Sequence, residues 1–233
     1  MGTRWKGKGY EARALANPMS EIISKLQSCF TKSNVRGTLT GLRVILDLGT
    51  EESEVLTLAF FGRQITSSDK VNQWFQLGME EAFYLCFYLK CLTIVDSMSS
   101  AKTEIEAWQY AVSKRPEFPE LFIGYSHLRK KNWVVRPGSQ YGADFVAYRC
   151  HPSLVHSEYA VIVLSEEKDR DEGRLRVWSD VHGAIRLCAS VAKTLLVLFI
   201  SRRCDAAELP WRMDRYAVEE RTLSRWVAEK NRS

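Results

Sequence analysis

Residues 141–163 read YGADFVAYRCHPSLVHSEYAVIV. Two runs rich in β-branched and aromatic residues, Ala143–Tyr148 and Ser157–Leu164, flank a short polar loop that contains Pro152. That is the pattern of two paired strands. Pairing them leaves Tyr148 at a strand end and His156 at the far edge of the loop, beside the returning strand. A phenol and an imidazole in that relation can work as an acid–base pair. The group still needed is a cation. Lys193 is the candidate, at the junction between a helix-like stretch, 180–192, and an apolar run, 194–200.

The flanking sequence builds a sheet with helices around this centre. Upstream, Glu120–Lys131 reads as an amphipathic helix carrying Leu121, Tyr125 and Leu128. Trp133–Arg136 reads as a strand and Pro137–Gly138 as a turn. Downstream, Ser165–Gly173 is a charged loop and Arg174–Trp178 a further candidate strand. The helix at 180–192 has Val181, Ile185 and Cys188 on one face, and 194–200 is a buried strand. Further towards the N-terminus, Thr103–Lys114 is a helix with Glu104 and Glu106 in its first turn. Met79–Leu92 is a buried helix whose Glu80 and Glu81 suit the positive end of the helix dipole. Its stripe of Phe83, Tyr84, Phe87 and Tyr88 reads as core packing. Thr38–Leu48 and Glu54–Phe61 read as two strands with Gly49 in the turn. Pro18–Phe30 reads as a short amphipathic helix with Ser20 as N-cap.

A chain of 233 residues, 45% hydrophobic and 26% charged, has the composition of a globular protein with one large or two modest domains. The break is placed at Pro116–Pro119, because proline disfavours helix in the residue before it. This gives a mixed α/β N-terminal domain, 1–117, and a C-terminal domain, 118–233. The net charge of +5 permits a polyanionic partner without requiring one. The six cysteines, Cys29, Cys86, Cys91, Cys150, Cys188 and Cys204, form no CxxC pair. They read as reduced thiols of a cytosolic or nuclear protein. Cys150, His151 and His156 lack a fourth ligand and match no standard zinc spacing, so no metal site is assigned. The run 83–95 is interrupted by Lys90 and is shorter than the roughly 20 residues of a bilayer span, so no membrane span is expected.

YGADFVAYR, then VHSEYAVIV, then SVAKTLL resemble the C-terminal domain of the tRNA-splicing endonucleases, most of all the eukaryotic catalytic subunit that cuts the 5′ splice site. The resemblance covers Pro119–Arg225 and is much looser in the N-terminal half. It implies an α+β fold overall, with an endonuclease-like C-terminal domain built on a central mixed β-sheet flanked by helices. It also implies a final strand over Tyr216–Val227. The family's Tyr, His and Lys fall on Tyr148, His156 and Lys193. The implied reaction is RNA cleavage without metal or other cofactor, the substrate's own 2′-hydroxyl attacking the phosphate to leave 2′,3′-cyclic phosphate and 5′-hydroxyl ends. Tyr148 would be the base, helped by a nearby Lys193 cation that lowers its pKa. His156 would be the acid, and Lys193 would stabilise the transition-state charge. Arg186 and Trp226 match the family's cation–π pincer, which grips an unstacked base and serves the partner subunit's cut site. The implied partners are intron-containing precursor tRNA, a second catalytic subunit and two structural subunits. The implied location is the nucleus.

The nearest alternative residues are set aside. Tyr141 packs or supports the turn, His151 sits within the loop, and His127 and His182 lie on helices. Arg4, Lys6 and Lys8 in the basic segment 1–9 are able to touch RNA, but a solvated tail is the plainer reading. A metal-dependent nuclease would need clustered carboxylates. Its nearest trace, Glu166-x-Lys168, falls in the charged loop.

Overall fold

The computed structural model describes residues 3–65, 73–165, 173–202 and 216–225. They form an α+β fold around two five-stranded sheets. Helices α1 (Tyr10–Ala16) and α2 (Met19–Lys32) come first. Helix α2 buries Leu26 and Phe30, which the helical repeat places on one face. Strands β1 (Arg36–Thr40) and β2 (Arg43–Leu48) form a hairpin, and β3 (Arg63–Ile65) and β4 (Gln73–Gly78) extend the sheet. Between them lies α3 (Thr50–Ala59). Helix α4 (Met79–Phe83) continues as one π-helical stretch, Tyr84–Tyr88. It leads to β5 (Thr93–Val95), which pairs parallel with β1 and completes the order β3-β4-β2-β1-β5.

Helix α5 (Glu104–Lys114) opens on a capping box. The Thr103 hydroxyl accepts from the Glu106 backbone N–H at 3.2 Å, and the Glu106 carboxylate accepts from the Thr103 N–H at 2.8 Å. Helix α6 (Phe118–Lys130) follows, then β6 (Val134–Pro137), β7 (Phe145–Tyr148), β8 (Tyr159–Ser165), α7 (Trp178–Ser190), β9 (Thr194–Arg202) and β10 (Tyr216–Leu223). The second sheet runs β10-β9-β8-β7-β6, with β8 and β9 parallel and the other neighbours antiparallel.

The alternation of strand side chains explains why β8 and β9 are apolar almost throughout. Val161 and Val163, with Leu196 and Leu198, join the main core under α6. Ala160, Ile162 and Leu164, with Leu195 and Val197, pack with Cys188 of α7 on the other face. Both faces are covered, so neither can be polar. The main core also crosses between the two sheets. Phe122 of α6 meets Phe83 of α4 edge to face, with ring centroids 4.9 Å apart.

Five local expectations change. Thr38–Leu48 is not one strand: it is the hairpin of β1 and β2, which turns at Gly41 with φ of 57°. Residues 54–61 are not a strand, since most of them belong to α3. Ser53, Leu56 and Ala59 are buried at a spacing of three, a helical period that prevails over the strand-like run of β-branched and aromatic residues. Arg174–Trp178 is not a strand either, because Leu175 has φ of 63°, outside the extended region, and α7 already begins at Trp178. Ser20 lies inside α2, whose N-cap is Pro18, and its carbonyl accepts from the Ser24 hydroxyl at 3.1 Å. The basic N-terminal segment is docked over residues 3–6, as the next section describes. Trp226, Glu166, Lys168 and Cys204 lie outside the described residues. Among the described residues, no helix is long and apolar enough to cross a membrane.

Candidate active site

The second sheet gathers its motif residues at one end. Strand β7 finishes there with Tyr148. Antiparallel β8 starts there at Tyr159, and parallel β9 starts there with Thr194 opposite Tyr159. His156 is therefore held in the loop just before β8, and Lys193 just before β9. Backbone bonds fix both approaches: Glu158 N–H donates to Ala147 O at 2.9 Å, Thr194 N–H to Glu158 O at 2.9 Å, and Lys193 N–H to Cys188 O at 2.8 Å. Val155, fully buried, anchors the loop and leaves its neighbour His156 exposed.

Tyr148 is half-buried. Burial pushes its phenol above the usual range, opposed by a bond from the Ser157 side chain and by the Arg136 cation, while Tyr141 pushes it further up. The expected help from Lys193 is not there. The Lys193 ammonium lies instead over the Tyr141 ring, 4.3 Å from its centroid, with Val191 O at 3.5 Å. Burial and the Arg4 cation lower its pKa. His156 is pushed below the ordinary histidine value by desolvation, then by Lys6, Arg4 and Lys193. Each of these groups is displaced towards its neutral form.

Tyr141, set aside on sequence, thus belongs to the site as the platform under Lys193. It ends a 3₁₀ turn, Ser139–Tyr141, closed by Gly142 at φ of 64°. The turn also depends on Gly138, where an added Cβ would lie 2.7 Å from the Phe145 carbonyl group. His151 faces elsewhere. Its Nδ1 is 2.7 Å from Ser153 Oγ, its Nε2 is 3.3 Å from Thr57 O, and its ring meets Phe60 edge-on. His127 pairs with Glu220 of β10 at 2.8 Å. Among the described residues, no group of three metal-binding side chains is assembled.

The sequence reading also missed what the N-terminal segment does. Trp5 forms an antiparallel bridge with Val155. On either side of it, Lys6 N–H donates to Leu154 O at 2.9 Å and His156 N–H donates to Arg4 O at 3.0 Å. The Thr3 hydroxyl donates to Glu158 Oε1 at 3.0 Å. Arg186 is exposed on α7.

Two mixed sheets, the second presenting a phenol, an imidazole and an ammonium at one end, make an α+β protein with a candidate site equipped for acid–base chemistry. Comparison with known families agrees. The chain matches the model for the tRNA intron endonuclease catalytic C-terminal domain over residues 118–207, and that for the tRNA intron endonuclease N-terminal domain over residues 35–104. It is 48% identical, over its whole length and 92% of the relative, to tRNA-splicing endonuclease subunit Sen2-2 of Arabidopsis thaliana. It is 45% identical to the probable tRNA-splicing endonuclease subunit Sen2 of Oryza sativa subsp. japonica, over 99% of this chain and 82% of that one. With tRNA-splicing endonuclease subunit Sen2 of Mus musculus the identity is 32%, over 70% of this chain and 37% of the relative. The chain belongs to the tRNA-splicing endonuclease family.

Proposed function

We propose that this chain is the catalytic subunit that cuts intron-containing precursor tRNA at the 5′ splice site. The observation that carries this reading is the meeting of Tyr148, His156 and Lys193 at one sheet end in a chain 48% identical to a Sen2 subunit. The substrate supplies its own nucleophile. Tyr148 takes the proton of the ribose 2′-hydroxyl, the O2′–P bond forms, and the P–O5′ bond breaks. His156 gives its proton to the departing O5′, and Lys193 offsets the added negative charge on the phosphate oxygens. The products are a 2′,3′-cyclic phosphate and a 5′-hydroxyl, and no water or metal enters the step. DNA has no 2′-hydroxyl and is not cut. The chain works beside a second catalytic subunit and two structural subunits, a reading supported by relatives that are themselves named as subunits.

The test is a time course on the endonuclease isolated through a tag on this full chain, with end-labelled precursor tRNA and excess EDTA. Cleavage should persist and leave cyclic phosphate at the 5′ exon end. His156→Ala, in an enzyme lacking any wild-type copy, should slow the 5′ cut by about 10²–10⁴-fold while leaving precursor binding in place. A rate within about twofold of wild type would remove His156 from the mechanism.

A further inference from the structure

The bridge between Trp5 and Val155 sets which side chains of the N-terminal segment face the site. Directly opposed residues of an antiparallel pair share a face, and neighbours alternate. Arg4 therefore lies opposite His156 and on its face, and Lys6 lies opposite Leu154 on that same face, while Trp5 and Val155 point the other way. Exposure follows this alternation: Arg4, Lys6 and His156 are exposed, Trp5 is half-buried and Val155 is buried. Among the described residues, neither Arg4 nor Lys6 has an ion-pair partner. Glu158, the nearby carboxylate, is taken by Arg149 and Thr3, each at 3.0 Å. Arg4 also lines a cavity of about 230 Å³ with Glu158, Ala192, Thr194, Thr222 and Ser224, so it reaches the start of β9 beside Lys193. Arg4, Lys6 and Lys193 all act on one exposed imidazole, and the carboxylate near them, Glu158, is already paired with Arg149, which leaves a surplus of positive charge that a polyanion would complement.

We propose that Arg4 and Lys6, held against the His156 loop by the Trp5–Val155 bridge, form an anion subsite for the RNA phosphodiester backbone beside the cleaved bond. This rests on the proposed cleavage reaction. Lys193 faces the reacting phosphate, and Arg4 and Lys6 engage phosphates next to it, drawing the single-stranded splice site onto His156. The bridge is made by main-chain groups, so the cations can be removed without undocking the segment. Their charges also lower the pKa of His156 and, for Arg4, of Lys193. A bound phosphate opposes that effect and restores the imidazolium needed as acid.

The experiment uses the endonuclease isolated through a tag on this full chain, carrying Arg4→Gln, Lys6→Gln or both. Binding is read with precursor tRNA bearing one 2′-deoxynucleotide at each splice site, so that neither bond can be cut. Each lost phosphate contact should reduce the slope of log Kd against log salt by about 0.7, so the double variant loses about 1.4. The 5′-cut kcat/KM of the double variant should fall at least about tenfold. Arg4→Lys and Lys6→Arg should restore the slope, since they keep the charge. An unchanged slope in the double variant would overturn the subsite, as would an equal loss of slope in the charge-preserving variants. A wild-type enzyme that binds the blocked precursor but never cuts the unblocked one would overturn the cleavage reading instead, and the salt slopes would still decide the subsite.

Discussion

For the base role proposed above, Tyr148 starts at a disadvantage, and the reason bears on how the proposed reaction should respond to pH. With a phenol near pKa 10 and an imidazole near 6.5, phenolate paired with imidazolium makes up on the order of one molecule in three thousand at neutral pH. The fold widens the gap, because burial raises Tyr148 while desolvation and three cations lower His156. The productive pair, however, carries the same number of protons as neutral phenol with neutral imidazole, so the two are tautomers. Their ratio does not change with pH, and the population is level between two apparent pKa values that belong to the pair. On the acid side the 5′-cut kcat/KM should therefore fall as the pH drops below a midpoint lower than that of an ordinary histidine. It should stay level through neutrality and fall again above the tyrosine range. If Tyr148 takes no proton and His156 acts alone, the rate should instead fall as pH rises through the histidine midpoint. Profiles taken from about pH 5 to 10 separate the two cases, since kcat/KM reports the free enzyme. That Tyr148 and His156 come to one sheet end was legible in sequence, because they flank one connection. The partner of Lys193 was not, because Tyr141 reaches it only once β9 has paired beside β8.

Of the two long helices that pack on the second sheet, α7 is far less committed to the core than α6. Cys188 is its one buried residue, and Arg186 is exposed two residues before it. A helix that only has to bridge two parallel strands leaves its outer face free for a ligand. If Arg186 grips a base at the partner's splice site, Arg186→Ala should slow the 3′ cut more than the 5′ cut. The difference should match a lost stacking partner, about 1–3 kcal/mol, with thermal stability unchanged. A gel time course resolving both intermediates reads this, and equal slowing of the two cuts would end the pincer assignment. Element types were readable where burial imposes a period. Strands β8 and β9, covered on both faces, show as continuous apolar runs, and α5 shows through Glu104 and Glu106 in its first turn. Helix α3 hid behind β-branched residues, because its burial at Ser53, Leu56 and Ala59 is set by neighbours distant in sequence. The N-terminal segment was illegible for a different reason. Its bridge is made by backbone N–H and C=O groups, which every residue has.

At the scale of the whole molecule, Arg129 links the second sheet's helix α6 to the end of α3 beside the first sheet. It projects from α6, is 4% exposed, and lies 3.9 Å from the centroid of the Phe61 ring. Its Nε donates to the Tyr125 hydroxyl at 2.9 Å, and its two terminal nitrogens donate to Phe60 O at 3.3 Å and Ala59 O at 3.5 Å. The last two acceptors lie at the C-terminal end of α3, where unpaired carbonyls and the helix dipole favour a cation. Arg136 repeats the link, donating to Gly62 O at 2.6 Å and to Glu81 Oε1 at 3.1 Å. Arg129→Ala removes a stacked guanidinium and strands buried carbonyls and a buried phenol, which should cost about 3–4 kcal/mol. Arg129→Lys should recover little, because an ammonium has neither the flat face nor the fork that spans two carbonyls. Because the core runs from Phe83 through Phe122 to Val163, the loss should lower the stability of both sheets together. Urea unfolding of the full chain, followed by tryptophan fluorescence and far-ultraviolet circular dichroism, should show one transition displaced as a whole. Two transitions, with only the first displaced, would mean that α6 serves two cores rather than one.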